Sequence, residues 1–353
     1  MPDDMIEDPR LAEPRYARDR LRARLLALQH HAAELAAGGG EPDAVGVRDL
    51  EQLLADADAQ LRPDDTAAQA IGFAIHCALQ ERRDALRSVE ESAQAWRALY
   101  ERGARVLGAT DDAVIRAHSF AIRYTRLRGS PAALDDGVAR YERQLQDRRN
   151  RLGLHDQRTH ITRTNLAVAL RDRGTREDFT RARRILAEEI HDRGVDFGPG
   201  DPITWSAQVI MAQTLILEAE LTLGADERAA ARRSLCEEAL GILRPILRAR
   251  QRRFGPSEVT LQATLVAAHA ELLLGGTQEA ARRIRYVRAV AERARIRLAP
   301  GWADYLLARA LPPDDPQALA SASAALAARL AYYPASARQV HEAKQLVASL
   351  ASP

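Results

Sequence analysis

The sequence predicts an all-α protein built from repeated helix pairs, and three observations carry that prediction. Short glycine-bearing loops recur along the chain: Val106-Leu107-Gly108-Ala109-Thr110-Asp111, Arg151-Leu152-Gly153-Leu154-His155-Asp156, Asp196-Phe197-Gly198-Pro199-Gly200-Asp201-Pro202 and Arg253-Phe254-Gly255-Pro256-Ser257. Gly108 to Gly153 spans 45 residues, Gly153 to Gly198 another 45, and Gly198 to Gly255 spans 57, so one copy carries a longer helix or an insertion. A fixed period of this length marks a repeat architecture, whose units bury their core against neighbours and leave long faces exposed for holding other molecules. Second, 46% of residues are hydrophobic but only 5% aromatic, and the apolar content is mostly Ala and Leu, which suits closely spaced helices. Third, no segment shows the alternation expected of a strand.

The elements follow in order. Met1 to Glu13 reads as a disordered lead, after which Pro14 opens a helix to about Ala37 that Gly38-Gly39-Gly40 stops. A second helix covers about Val47 to Leu61, Pro63-Asp64-Asp65-Thr66 caps a third, and Glu81 to Val106 reads as a fourth. These four lack the repeat loops, so residues 14–105 are predicted as an N-terminal helical region, with room for degenerate repeats. A repeat array is expected over 106–299. Its helix pairs are Asp111 to Arg128 with Ala132 to Arg151, Gln157 to Arg173 with Glu177 to Arg193, Pro202 to Leu223 with Asp226 to Arg253, and Ser257 to Leu274 with Thr277 to Arg297. Pro245 is expected to kink or split the helix that contains it. Residues 300–353 add capping helices near Gly301 to Ala310, Pro316 to Tyr332 and Ser336 to Ser349.

Composition excludes several classes. Net charge is only +2, so the whole molecule lacks the field of a general polyanion binder. Lys344 is the single lysine among 51 basic residues, an arginine bias that reflects a GC-rich genome rather than a folding requirement. Cys77 and Cys236 lie far apart in apolar helical runs and read as reduced, buried thiols, which points to a cytoplasmic location. The acidic segment Met1 to Arg10 does not read as a secretory signal, and no run reaches the roughly 18 apolar residues of a membrane span.

The copy from Ile161 to Gly194 is the clearest. Leu166, Ala167, Leu170 and Gly174 place apolar contacts and a small residue on one helix face before a turn, and Phe179 and Ala182 follow on the second helix. This pattern resembles the tetratricopeptide repeat. The wording Phe197-Gly198-Pro199-Gly200-Asp201-Pro202-Ile203-Thr204, with Asn165-Leu166-Ala167 in a first helix, is similar to the kinesin-light-chain variety of that family. That variety runs about 42 residues per copy; here Thr175-Arg176-Glu177-Asp178 occupies the turn where the family has one residue, which accounts for 45. The resemblance covers about Val106 to Arg297, with Glu271 standing where a large apolar residue belongs in the fourth copy.

The resemblance implies a right-handed superhelical solenoid whose first helices line a groove for an extended peptide or a helix. Groove positions would be Ile115, His118, Ser119, Ile122, Thr125 and Arg126 in the first copy and Ile161, Thr164, Asn165, Val168 and Arg171 in the second, with Gln213 beyond. Asn165 matches the asparagine that in the kinesin-light-chain type bonds a peptide backbone; as an amide it has both donor and acceptor. Ser119, Ile210 and Val266 stand there in the other copies, so no asparagine ladder exists, and Asn165 could equally bond a neighbouring helix.

Arginines are the other candidates. The helix Ala280 to Arg297 carries Arg282, Arg283, Arg285, Arg288, Arg293, Arg295 and Arg297 around an apolar side of Ile284, Val287, Ala291, Ala294 and Leu298. With Arg148-Arg149-Arg151 and Arg248-Arg250-Arg252-Arg253, these could form a ridge for a phosphate backbone or an acidic tail, with Arg282, Arg285, Arg288 and Arg295 as its core. The stronger reading is a solvated face with cations complementing helix C-termini. Few aromatics interleave, so nucleic acid is a minor hypothesis.

Nothing points to an enzyme. No phosphate-binding, nucleophile-elbow or H-E-x-x-H spacing occurs, and Asp64-Asp65, Asp111-Asp112 and Asp314-Asp315 read as helix caps. His155 and His160 flank a loop and His30-His31 are adjacent, so a metal site would need residues from distant segments; none is predicted, nor any cofactor. The sequence thus predicts an interaction scaffold holding a protein or peptide. Two alternatives stand beside it: a regulator in which a peptide ligand changes the superhelix, like the peptide-sensing tetratricopeptide regulators of bacteria, and a polyanion adaptor.

Overall fold

The computed structural model describes residues 17–28, 42–60, 65–84, 87–221 and 228–351. The expected lead, the opening at Pro14, the Gly38-Gly39-Gly40 stop, Asp64 and His30-His31 lie outside them. Every regular element among the described residues is a helix. These are α1 (17–28), α2 (Pro42–Gln60), α3 (Thr66–Arg83), α4 (Val89–Val106), α5 (Asp112–Leu127), α6 (Pro131–Leu152), α7 (Gln157–Arg173), α8 (Arg176–Asp196), α9 (Pro202–Leu221), α10 (Arg228–Phe254), α11 (Glu258–Leu273), α12 (Thr277–Arg293), α13 (Trp302–Ala310), α14 (Pro316–Tyr332) and α15 (Arg338–Ala351). No described helix is long and apolar enough to cross a membrane.

The chain divides into two compact units, one ending at Tyr124 within α5 and the other starting at Thr125. In the first, Leu21, Leu25, Leu50, Leu53, Ile71, Ile75 and Leu79 form a buried core. The expected fourth helix begins eight residues late because Ser88 and Glu91 form a capping box: the Ser88 amide donates to Glu91 at 2.8 Å and the Glu91 amide to the Ser88 hydroxyl at 3.3 Å. These bonds satisfy donors that a helix start leaves open, so the chain restarts a helix instead of continuing α3. Trp96 is fully buried, donates to Asp84 at 2.6 Å and stacks on Phe120.

In the second unit each helix packs on the next, and α7, α9, α11 and α13 also pack on one another in succession. That second set of contacts is what makes the pairs an array and not a chain of separate hairpins. Asp156, Asp201 and Asp315 each accept an amide at the start of a following helix, as do Asp65 and Asp111 in the first unit. The loop glycines Gly108, Gly153, Gly198 and Gly255 all have positive φ, from +58° to +98°, a region costly for residues with a Cβ. α10 stays helical through Pro245, so the proline does not split it. α9 and α10 hold 20 and 27 residues against 17 and 21 for α7 and α8, so the 57-residue interval is taken up mainly by longer helices. Glu271, out of place for an apolar position, accepts two bonds from Arg283 across the α11–α12 hairpin. Cys77 and Cys236 are buried free thiols, pushed up to about 12 and about 11 by burial.

Gly129, at φ +73°, marks a different kind of contact. A Cβ there would lie 3.0 Å from the Cα of Ala337, so the segment leading into α15 lies directly against the start of α6. Arg338 Nη1 likewise approaches Gly174 at the end of α7. The C-terminal helices therefore reach back toward the second copy rather than only capping the last one.

Candidate functional site

The groove candidates separate into tied and open side chains. In the first unit His118 stacks on Tyr100 with 4.2 Å between ring centroids, and the Ser119 hydroxyl donates to the Ile115 carbonyl at 3.1 Å. Ile122 and Thr125 are buried, which corrects their expected exposure: both point into packing, not toward a ligand. Arg126 is buried too and pairs with Asp172. Thr164, also buried, donates to the His160 carbonyl at 3.1 Å and accepts from Arg193 at 2.9 Å, so its hydroxyl is engaged inside the fold.

Arg171 and Gln213 join α7 to α9. The guanidinium donates to the Gln213 carbonyl oxygen at 3.0 Å and to Asp172 at 3.0 and 3.1 Å. Burial and the nearby charges of Arg126 and Arg338 push the Arg171 guanidinium down to about 9, because a desolvated cation beside like charges is disfavoured. Asn165 differs from all of these. It is half-buried on α7, and its amide has no hydrogen-bond partner among the described residues. The exposed Ile161 and half-buried Val168 flank it one helical turn away on either side.

The interior beneath this face is polar. Glu189 of α8 is fully buried and accepts from Arg163 at 2.6 Å, from Arg193 at 2.5 Å and from His160 Nδ1 at 3.1 Å. Arg163 also donates to Asp192 at 2.5 Å. Burial alone would lower Arg163, but the bonds to Asp192 and Glu189 outweigh it and raise its pKa. A buried carboxylate is tolerated here because two guanidiniums meet it directly.

Arginine also performs a task that the sequence reading missed. Arg148 of α6 donates to the Arg158 carbonyl at 2.8 Å, Arg193 of α8 to the Ile203 carbonyl at 2.9 Å, Arg250 of α10 to the Val259 carbonyl at 2.7 Å and Arg329 of α14 to the Gln339 carbonyl at 2.5 Å. Each acceptor is the second residue of the following helix. All four arginines are buried, and burial, with the nearby Arg158 charge, pushes Arg148 down to about 10. Arg148 and Arg250 therefore do not belong to an outward ridge: they tie the end of one helix to the start of the next. The signal was the 45-residue step from Arg148 to Arg193, equal to the glycine period. The second unit is an α-helical repeat array.

No protein-family model matches the chain and no curated protein matches it. Among solved structures, two crystal structures of the nearly identical TPR-like repeats of a Podosopora anserina chain assigned as a kinesin light chain are similar to it. One, of a variant with a single substitution, is 14% identical, with a TM-score of 0.43, covering 62% of this chain and 94% of its own. The other is 14% identical, with a TM-score of 0.42, covering 63% and 96%. The likeness is loose, and the repeat architecture stands on the chain's own packing.

The expected arginine face carries many internal partners. Arg282 pairs with Glu279, Arg288 with Asp304 at 3.1 Å, and Arg285 donates to Gln317 at 3.0 Å. Arg295 is exposed, at φ +52° just past the end of α12. Carboxylates among these arginines lower the net positive field a polyanion would meet.

Proposed function

We propose that the chain is a protein-interaction scaffold that holds an extended partner segment along the face of α7 around Asn165, next to α9. The observation that carries this reading is the unpartnered Asn165 amide among the described residues, half-buried between apolar neighbours where a peptide backbone could supply its donor and acceptor. Arg171 and Gln213 act as the fixed wall, since their bond leaves the face preorganised. Within the same unit Thr164 and Arg126 contribute through packing, the Thr164 hydroxyl being bonded to His160 and Arg193 and Arg126 being paired with Asp172. The internal pairing of Arg282 and Arg288 argues against a polyanion adaptor.

A random extended-peptide library displayed on phage tests this. Selection on the full chain should enrich a family of peptides whose affinity falls about two- to tenfold in Asn165→Ala, the worth of a hydrogen bond, and is abolished in Val168→Arg. Peptides that bind both variants as they bind the parent would place recognition elsewhere.

A further inference from the structure

His155, His160 and Asp196 converge at the open end of the α7–α8 hairpin. They come from three separate segments: the loop before α7, the first turn of α7 and the last residue of α8. His155 Nδ1 lies 3.0 Å from Asp196 Oδ2, and His160 Nε2 lies 2.9 Å from the same oxygen. One donor atom from each residue falls within 4.8 Å of the others.

The proton inventory is what makes the cluster informative. Glu189, already neutralised by Arg163 and Arg193, accepts from His160 Nδ1 at 3.1 Å and so fixes the proton on that nitrogen. Nε2 then presents a lone pair to the Asp196 carboxylate, and His155 brings a second imidazole nitrogen to the same oxygen. Lone pairs and an anion repel unless a proton or a cation lies between them. A carboxylate behind a buried imidazole is the arrangement that orients metal-binding histidines. Phe197 closes one side, its ring 5.8 Å from that of His160, while the His155 side chain is 67% exposed and leaves the other side open to water.

We propose that His155 Nδ1, His160 Nε2 and the Asp196 carboxylate bind a divalent cation of the zinc class. Zinc sits about 2.0–2.2 Å from nitrogen and oxygen donors, which puts tetrahedral donors roughly 3.3 Å apart, so the observed spacings need only a small opening. Two imidazoles and a carboxylate suit such a borderline cation better than calcium or magnesium, which prefer oxygen. The fourth position faces solvent and takes water or an external ligand. Glu189 is a positioning residue, and the bound ion pins the loop before α7 to the end of α8.

The test uses the full chain without a histidine tag, with Zn²⁺ followed by calorimetry and Co²⁺ by its visible spectrum at neutral pH. The parent should take up one equivalent, give the visible bands of nitrogen- and oxygen-bound Co²⁺, and unfold at a higher temperature when loaded. His155→Ala, at an exposed position that does not threaten the fold, and Asp196→Asn should each weaken binding at least about tenfold. His341→Ala, an exposed histidine on α15, should bind like the parent. Affinity should fall as pH drops and the imidazoles take protons. The proposal is overturned if the parent takes up no metal, or if folded His155→Ala and Asp196→Asn bind as the parent does.

Discussion

The α7–α8 and α11–α12 hairpins have one architecture and opposite interiors. Between α11 and α12 lie Leu261, Leu265, Ala268, Ile284 and Val287, a continuous apolar core that extends to Leu306 and Leu307 of α13. Between α7 and α8, Leu166, Leu170, Phe179 and Leu186 share the interior with Glu189, Arg163, Arg193 and His160, all buried. The repeat therefore fixes where helices lie without fixing what fills the space between them. Apolar packing is indifferent to which partner it meets. A buried ion network demands its own geometry, and it is this hairpin that carries the open Asn165 amide and the convergent histidines.

The sharpest way to break this comparison is Glu189→Leu, which strands Arg193 without a carboxylate and leaves Arg163 with Asp192 alone. It should cost about 3–5 kcal/mol, measured as a drop in the denaturation midpoint. The counterpart in the apolar hairpin, Leu265→Ala, only opens a cavity and should cost about 2–4 kcal/mol. Arg250→Met removes a tie between α10 and α11 and leaves the Val259 carbonyl without that donor, for about 1–2 kcal/mol, seen as faster hydrogen exchange at the start of α11. Gly174→Ala, at φ +81°, should cost about 1 kcal/mol in the same denaturation assay.

The contrast also sharpens through pH. Glu220 of α9 meets Arg309 of α13 at 2.5 Å and His269 of α11 at 3.2 Å. Burial opposes ionisation of Glu220, but the His269 and Arg309 bonds prevail and hold it down to about 2. A carboxyl lower in the folded state than its ordinary 4.5 contributes stability that is complete above that value. The contribution is lost as pH falls from about 4.5 toward about 2. Glu220→Gln should flatten that part of the stability-against-pH curve, and an unchanged curve would remove the assignment.

Much of the fold was legible because its signals are local. Loop glycines at a fixed period, aspartates ahead of helices and apolar positions three or four apart each act within a turn or a pair. The Glu81 boundary failed because the Ser88–Glu91 capping box sits inside a continuous helical pattern. The site was harder to read for a physical reason. Glu189 and Arg163 are 26 residues apart and His155 and Asp196 41 apart, so their pairing exists only once α8 is placed against α7. Arg148 and Arg250 looked like surface cations for the same reason, although their carbonyl partners lie only 10 and 9 residues ahead.

If recognition belongs to the polar hairpin, hydrogen–deuterium exchange of the full chain, with and without a selected peptide, shows it directly. New protection is expected in Gln157–Arg173 and Pro202–Leu221 and none in Glu258–Leu273 or Thr277–Arg293; protection confined to the apolar hairpin would contradict the assignment.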